Sequence, residues 1–399
     1  MRVLISGGGI GGLAAALALA RTGAEVTVFE KRGDPREEGA GIQIGPNGTR
    51  ILSILGVAGR LRPLIATPRS LCIHDGPSAE RLSELPLGGW LEQRHGSSYW
   101  VAHRADLHHC LLTAAQADPL IDLKRGIAVD SAHTYPDEIL ALSSCTIVGA
   151  GDVLVAADGI HSTLRATTIS APPPRYSGKS AARTVIPIDE APAAIARMSV
   201  GIWLAPDGHV VHYPVRAGTE LAIVVIRDEP GEATGWSTEV SPAWPQQAVS
   251  GFATPVRNLV AAGNCWRKWA LPRFPELPSW ISRRTVLLGD AAHPVLPFLA
   301  QGAVLALEDA ITLARCLSDL GLERGNNASP ESQVQQALSK YAATRRPRAA
   351  RVRAASKRNG EIYHMSGAMR LARNTALRLT PPANLMAGYD WLYGWKPGD

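Results

Sequence analysis

The apolar positions of the chain follow two rhythms. Short continuous runs, as in strands buried on both faces, occur at Val3-Leu4-Ile5, Val26–Phe29, Val153–Ala157 and Thr285–Leu288. Alternating runs, as in an antiparallel sheet with two distinct faces, occur at Ala182–Ile188, Val200–Leu204, His209–Val215 and Glu220–Ile226. Trp266–Leu271 and Ser97–Ala102 read as further strands, and Ile121–Ile147 as a small meander broken by polar turns. Helices are expected at Leu13–Arg21 with Gly23 at its end, from His103-Arg104 to Ala117, around Gln246–Phe252, and at Ala303–Leu317. Glu38–Leu55 carries three spaced glycines and then a helix that Asn47 should cap. From Ser329 onward the chain reads as helical and arginine-rich. Composition shifts at Ser70–Gly96, and Pro172-Pro173-Pro174 marks a second boundary. The order is that of an α/β protein whose first unit is interrupted and later resumed.

Composition narrows the class without changing that order. At 399 residues, 46% hydrophobic and 19% charged, the chain can bury a large core. A net charge of +6 suits anionic small molecules and gives no ground for nucleic-acid binding. Basic residues cluster at Arg345–Arg358, expected to be the solvated face of a helix. The five cysteines are scattered with no CxxC pair, so no disulfide framework and no metal site is expected. No apolar run approaches the ~18 residues of a membrane span, and no secretory signal is visible. The expectation is a cytoplasmic enzyme, monomer or homodimer, with no membrane partner.

Three motifs carry chemistry. Gly7-Gly8-Gly9-Ile10-Gly11-Gly12 follows one strand and opens a helix. Gly7 allows the tight turn, Gly9 lets backbone approach a pyrophosphate, and Gly12 lets helix and strand pack closely. Glu30 ends the next strand, placed to accept hydrogen bonds from a ribose hydroxyl. The second motif is Asp158-Gly159-Ile160-His161-Ser162-Thr163-Leu164-Arg165 at the end of a buried strand. The third is Gly289-Asp290-Ala291-Ala292-His293-Pro294, continuing through Pro297 and Gln301-Gly302 to Glu308-Asp309. A buried strand feeding a helix N-terminus is a ready anion site, because unpaired N–H groups converge there.

Together the patterns GxGxxG, DGxxSxxR and GDAAHPxxPxxxQGxxxAxED resemble the single-component FAD-dependent aromatic hydroxylases. The salicylate, 3-hydroxybenzoate and 6-hydroxynicotinate enzymes are the most similar, over almost the whole chain. The resemblance implies a discontinuous Rossmann-like FAD-binding domain (1–69, 97–174 and 280–328) with an inserted antiparallel β-sheet substrate domain (70–96 and 175–279). A C-terminal helical segment would follow (329–399). It implies FAD contacts from Gly7, Gly9, Gly12, Glu30, Asp158, Asp290, Gln301 and Gly302. By the HRADL segment it adds Arg104. The implied chemistry is flavin reduction by NAD(P)H, with NADH favoured, reaction with O₂ to a C4a-hydroperoxide, and hydroxylation of a small anionic phenol. Loss of the ring carboxylate could accompany that step.

His209-Val210-Val211-His212-Tyr213 is the informative strand of the inserted sheet. With a period of two, His209, Val211 and Tyr213 share one face and His212 the other. The resembled enzymes place a His and a Tyr at this spacing, so His209 and Tyr213 are the catalytic candidates. Four residues of strand span roughly 13 Å, more than one ring, so twist or tilt must bring both tips to one substrate. Pro297 and Phe298 stand where the 3-hydroxybenzoate group carries Gln and the hydroxynicotinate group a polar residue. They are the expected pocket residues and leave the substrate open. A tailoring hydroxylase of a larger phenol is an alternative. A flavin-dependent halogenase is another, given Trp266-Arg267-Lys268-Trp269-Ala270-Leu271-Pro272, although its tryptophans are spaced by three rather than two. A non-enzymatic FAD carrier is a third. A hydrolase is unsupported, because no GxSxG occurs.

Overall fold

The structure is a computed structural model and describes residues 1–34, 41–231, 238–321 and 329–399. The starts of the glycine-rich connection at Glu38 and of the mixed segment at Trp236 therefore lie outside the described residues.

Arg2–Ser6, Glu25–Glu30, Ile121–Arg125, Val153–Ala156 and Thr285–Leu287 form a parallel sheet, with Ile281–Ser282 added antiparallel at one edge. Arg2–Ser6, Val153–Ala156 and Thr285–Leu287 are buried almost throughout, as the continuous apolar runs require, whereas Glu25–Glu30 and Ile121–Arg125 carry several charged residues. Ile10–Ala20 is buried at every position but one and packs between this sheet and the helix Gly302–Ser318. The expected meander was partly misplaced. Ile121–Arg125 joins the parallel sheet beside Glu25–Glu30, and only Ser131–Thr134, Ile139–Ser143 and Thr146–Gly151 make the antiparallel meander.

A second sheet of eight strands takes Ser70–Asp75, Arg81–Pro86, Arg175–Pro187, Ser199–Ala205, Gly208–Val215, Glu220–Asp228, Thr238–Val240 and Trp266–Arg273. It is antiparallel except where Ser70–Asp75 runs parallel to Ser199–Ala205. On one of its faces lie the helices Ala243–Ala248 and Thr254–Ala261. One helix was expected here around Gln246–Phe252. The chain instead bends at Val249–Ala253, and the second helix starts with a proline in its first turn, where a missing N–H costs nothing.

The tail forms Pro330–Tyr363, Gly367–Leu379, Pro382–Ala387 and Asp390–Tyr393. The basic cluster on the first of these is only partly a solvated face, with Arg351, Lys357 and Arg358 exposed. Arg345 is fully buried, and Arg348 and Arg353 spend their guanidiniums on Glu308 and on backbone carbonyls. The reason is a pair of buried carboxylates, Glu308 and Asp309, that need compensating charge. No helix among the described residues is long and apolar enough to cross a membrane. Nor is there a cluster among them able to hold a metal ion.

Candidate active site

A cavity of about 1120 Å³ runs between the parallel sheet and the eight-stranded sheet. At one end is the glycine turn. Gly7 has φ +107°, and a Cβ there would sit 2.4 Å from the Ala157 carbonyl oxygen. A Cβ at Gly12 would sit 1.9 Å from Gly7 O, so neither position admits a side chain. Gly9 is the N-cap of Ile10–Ala20 and lines the cavity. That helix has no acidic residue in its first turn and no side-chain cap, which leaves its amide donors for an anion.

Glu30 lies at the same end. Its Oε2 accepts from Gly8 N at 2.8 Å and its Oε1 from Arg32 N at 2.9 Å. Each oxygen keeps a second lone pair, so the carboxylate is held in place without being used up. His108, which the sequence did not flag, ties the helix Arg104–Gln116 to the glycine turn through Nε2 and Gly8 O at 2.8 Å. Arg104 opens that helix and lines the cavity.

Asp158 and Asp290 face the cavity from the ends of adjacent parallel strands. Burial raises the Asp158 pKa, and its Oδ1 is buried with no protein partner. A buried orphan acceptor in a native fold calls for a donor from outside the chain. Asp290 is exposed, and that exposure is to the cavity, since the protein closes around it. This enclosure raises its pKa, against the nearby charges of Arg104, His293 and Arg165. Arg165 joins the two motifs, donating to the Asp290, Ala291 and Ile160 carbonyls at 3.3, 3.2 and 2.7 Å.

Gln301 is buried and caps Gly302–Ser318, whose first turn also lines the cavity. Asn47 does not cap its own helix. Gly45 takes that place, and Asn47 lies inside Pro46–Ile54, donating to Gln301 Oε1 at 3.1 Å and Glu308 Oε1 at 2.8 Å. An Asn near a helix start reads as a cap because its partners, here some 250 residues distant, are invisible locally.

The other end is built from the eight-stranded sheet. His209, Val211 and Tyr213 line the cavity, as the period of two predicts, while His212 is buried on the opposite face against Gly201. His209 and Tyr213 are held by different walls. The His209 ring lies 5.5 Å from Phe298 and 5.2 Å from Tyr363, and its Nδ1 is 2.8 Å from His364 Nε2. Burial lowers its pKa well below the usual imidazole value, with help from His364 and Lys179. The Tyr213 hydroxyl donates to Gly41 O at 3.2 Å. Burial pushes its pKa up to about 12, against the Arg183 charge, so it stays a neutral phenol.

Pro297 is exposed to the cavity, whereas Phe298 is mostly buried beneath the tail helix. Trp269 lines the cavity with the Arg183 guanidinium 3.7 Å from its ring centre. Trp266 is buried in the opposite core, as a spacing of three on a strand requires. The two tryptophans therefore do not share a face. Asn359, Tyr363, Met386 and Tyr389 close the cavity from the tail. Their roles escaped the sequence because the tail's helical periodicity gives no sign of what it covers.

A site with a glycine cradle, a capless helix N-terminus, an orphan Asp158 oxygen and an acidic Glu30 fits FAD. The chain belongs to the FAD binding domain family, whose model matches residues 1–356. It is 32% identical over 397 residues to the 3-hydroxybenzoate 6-hydroxylase of Polaromonas naphthalenivorans (strain CJ2), covering 100% of this chain and 96% of that one. It is 34% identical over 397 residues to the 3-amino-4-hydroxybenzoate 2-monooxygenase PtnB3 of Streptomyces platensis, covering 99% and 96%. The structure of Klebsiella pneumoniae HpxO with FAD and uric acid superposes with a TM-score of 0.82 at 25% identity, covering 97% and 95%.

Proposed function

We infer that the protein is an FAD-dependent monooxygenase that uses NAD(P)H and O₂ to hydroxylate a small phenolic acid of the hydroxybenzoate type. The observation that carries this reading is one cavity lined by Gly7–Gly9, Asp158 and Asp290 at one end and by His209 and Tyr213 at the other. The relatives named for hydroxybenzoate and aminohydroxybenzoate oxidation support the substrate class.

Gly7, Gly9 and Gly12 admit the pyrophosphate, Glu30 takes the adenosine ribose, and Arg104, Asp158, Asp290, Gln301 and Gly302 hold the rest of the cofactor. When bound, the flavin takes electrons from NAD(P)H and activates O₂ as an electrophile. The chain prepares the ring. His209 Nε2 accepts the hydroxyl proton, and a lowered pKa keeps that nitrogen in its base form at neutral pH. Tyr213 stays a neutral phenol whose hydroxyl hydrogen turns from the Gly41 carbonyl to the substrate's oxygens, and Arg183 adds positive charge for its carboxylate. Pro297 and Phe298 bound the ring, and the tail excludes water. Residues 1–69, 97–174 and 280–328 form the cofactor unit in this account, and 70–96 with 175–279 the substrate unit.

The test is a panel of hydroxybenzoates and pyridine carboxylates, following NADH consumption and product mass together. Oxidation coupled to a product one oxygen heavier supports the reading. Response only to large neutral phenols would replace it with a tailoring role, and a brominated product in bromide would replace it with halogenation.

A further inference from the structure

His209 does not stand alone in its wall. Its Nδ1 lies 2.8 Å from His364 Nε2, and His364 Nδ1 lies 2.9 Å from Asp228 Oδ1. Lys179 Nζ also bonds Asp228 Oδ1 and sits 3.3 Å from His364 Nδ1. Two donors thus converge on one carboxylate oxygen. Exposure rises along the chain of contacts. His209 is 1% exposed, the His364 side chain 5%, Lys179 21% and Asp228 34%. The line runs from the cavity to solvent, across three elements. His209 belongs to Gly208–Val215, Asp228 ends Glu220–Asp228, and His364 caps the long tail helix.

Hydrogen-bond logic fixes the protons. An ionised Asp228 can only accept, so His364 Nδ1 carries a hydrogen. Neutral His364 then offers a lone pair at Nε2, and His209 Nδ1–H must donate to it. That leaves His209 Nε2 bare, on a residue lining the cavity and with no partner there among the described residues. Asp228 is ionised at neutral pH. Burial opposes its charge, but hydrogen bonds from His364 and Lys179 outweigh that and hold its pKa below the usual carboxylate value. The remaining ring neighbours of His209, Phe298 and Tyr363, supply no charge, because burial raises the Tyr363 phenol.

We propose that His364 and Asp228 are positioning residues that set the tautomer of His209 and carry the substrate's proton between the cavity and solvent. This rests on the reading of His209 as the base. A hydroxyl proton arriving at His209 Nε2 releases the Nδ1 proton to His364 Nε2. His364 in turn releases its Nδ1 proton at the exposed Asp228 edge. No electron moves, and one proton enters and one leaves. When the product oxygen takes its proton back, the reverse passage restores both tautomers.

Two readouts on the FAD-loaded protein test this. In ¹⁵N-histidine-labelled protein, His209 should show hydrogen on Nδ1 and a bare Nε2. In Asp228→Leu, which leaves Lys179 Nζ, a group that can only donate, as the polar neighbour of His364 Nδ1, that pattern should reverse. With 3-hydroxybenzoate as the probe, proton release on binding is followed with a pH indicator in weak buffer. His364→Gln keeps a hydrogen bond but cannot relay, so release should slow by at least about tenfold, and by no more than the ~10²–10⁴-fold that general-base transfer contributes. The loss should shrink as pH rises toward the phenol's own ionisation. Asp228 is partly exposed, so Asp228→Leu stays informative if His364→Gln folds poorly. The relay is overturned if the His209 tautomer is unchanged in Asp228→Leu, or if His364→Gln releases protons at the wild-type rate while His209→Ala does not. Wild-type release in His209→Ala would remove the base itself, a separate failure.

Discussion

Arg345 and Asp309 form an ion pair, Nε to Oδ1 at 2.7 Å, in which neither side chain is exposed. The pair sits at the centre of a wider set. Arg345 also meets Glu308 at 2.9 Å, Arg348 meets Glu308 at 3.0 Å, and His293 Nε2 lies 2.5 Å from Asp309 Oδ2. Burial opposes the Asp309 charge, but His293 and Arg345 hold its pKa down at about 2. Asp309 also accepts from Gly289 N at 3.0 Å, directly before Asp290. The long tail helix is thereby locked to the turn that carries Asp290, the carboxylate proposed to hold the flavin.

Arg345→Met should accordingly cost about 3–5 kcal/mol of stability, because it strands buried carboxylates without their counter-charge. Urea unfolding of FAD-free protein measures it. A surface arginine would cost within about 0.5 kcal/mol, and that result would return the cluster to a solvated face.

Asp290→Ala should weaken FAD binding by about 1.5–3 kcal/mol, the range for a hydrogen bond to a charged group. Flavin fluorescence titration reads this directly. Glu30→Gln should likewise lower FAD affinity while leaving the position of ring hydroxylation unchanged. Altered regiochemistry would place that carboxylate at the wrong end of the cavity.

How much of this was legible in the sequence follows from the range of the signals. The glycine turn, Glu30 and the two Asp turns are local strings, and each fell where its strand and helix neighbours required. The shared face of His209 and Tyr213 followed from strand period alone. What escaped was set by distant partners. Asn47 looked like a cap, Arg345 like a surface charge, and His364 drew no notice within the helical tail. Each is defined by residues 36 to 261 positions away in the chain. Ile121–Arg125 was assigned to the meander because a run of five does not declare which sheet it will join.

His212 predicts a pH dependence of stability. Burial, with His74 second, lowers its pKa to about 3. The unfolded chain binds its proton near pH 6.5, so the native state is favoured above that value and loses stability as pH falls toward about 3. The slope is about 1.4 kcal/mol per pH unit for one such group. Between pH 7 and pH 5 the wild type should lose about 2 kcal/mol more than His212→Phe, both measured by urea unfolding. Equal losses would mean that His212 titrates in the fold as it does in the unfolded chain, as a solvated imidazole would.

His209→Ala should bind FAD normally and hydroxylate ~10²–10⁴-fold more slowly, with NADH oxidation diverted to hydrogen peroxide. The deficit should narrow at high pH, where the phenol ionises without a base. Stopped-flow hydroxylation rates with peroxide assay check both parts. Wild-type coupling in this variant would shift the search to the loop at 293–301.

The most direct test of the central claim is an incubation of the FAD-loaded protein with NADH, 3-hydroxybenzoate and ¹⁸O₂. A dihydroxybenzoate carrying one ¹⁸O atom from the gas, formed in step with NADH consumed, is the expected product. NADH oxidation that yields only hydrogen peroxide across the whole panel of acids, or a product whose new oxygen comes from water, would contradict it.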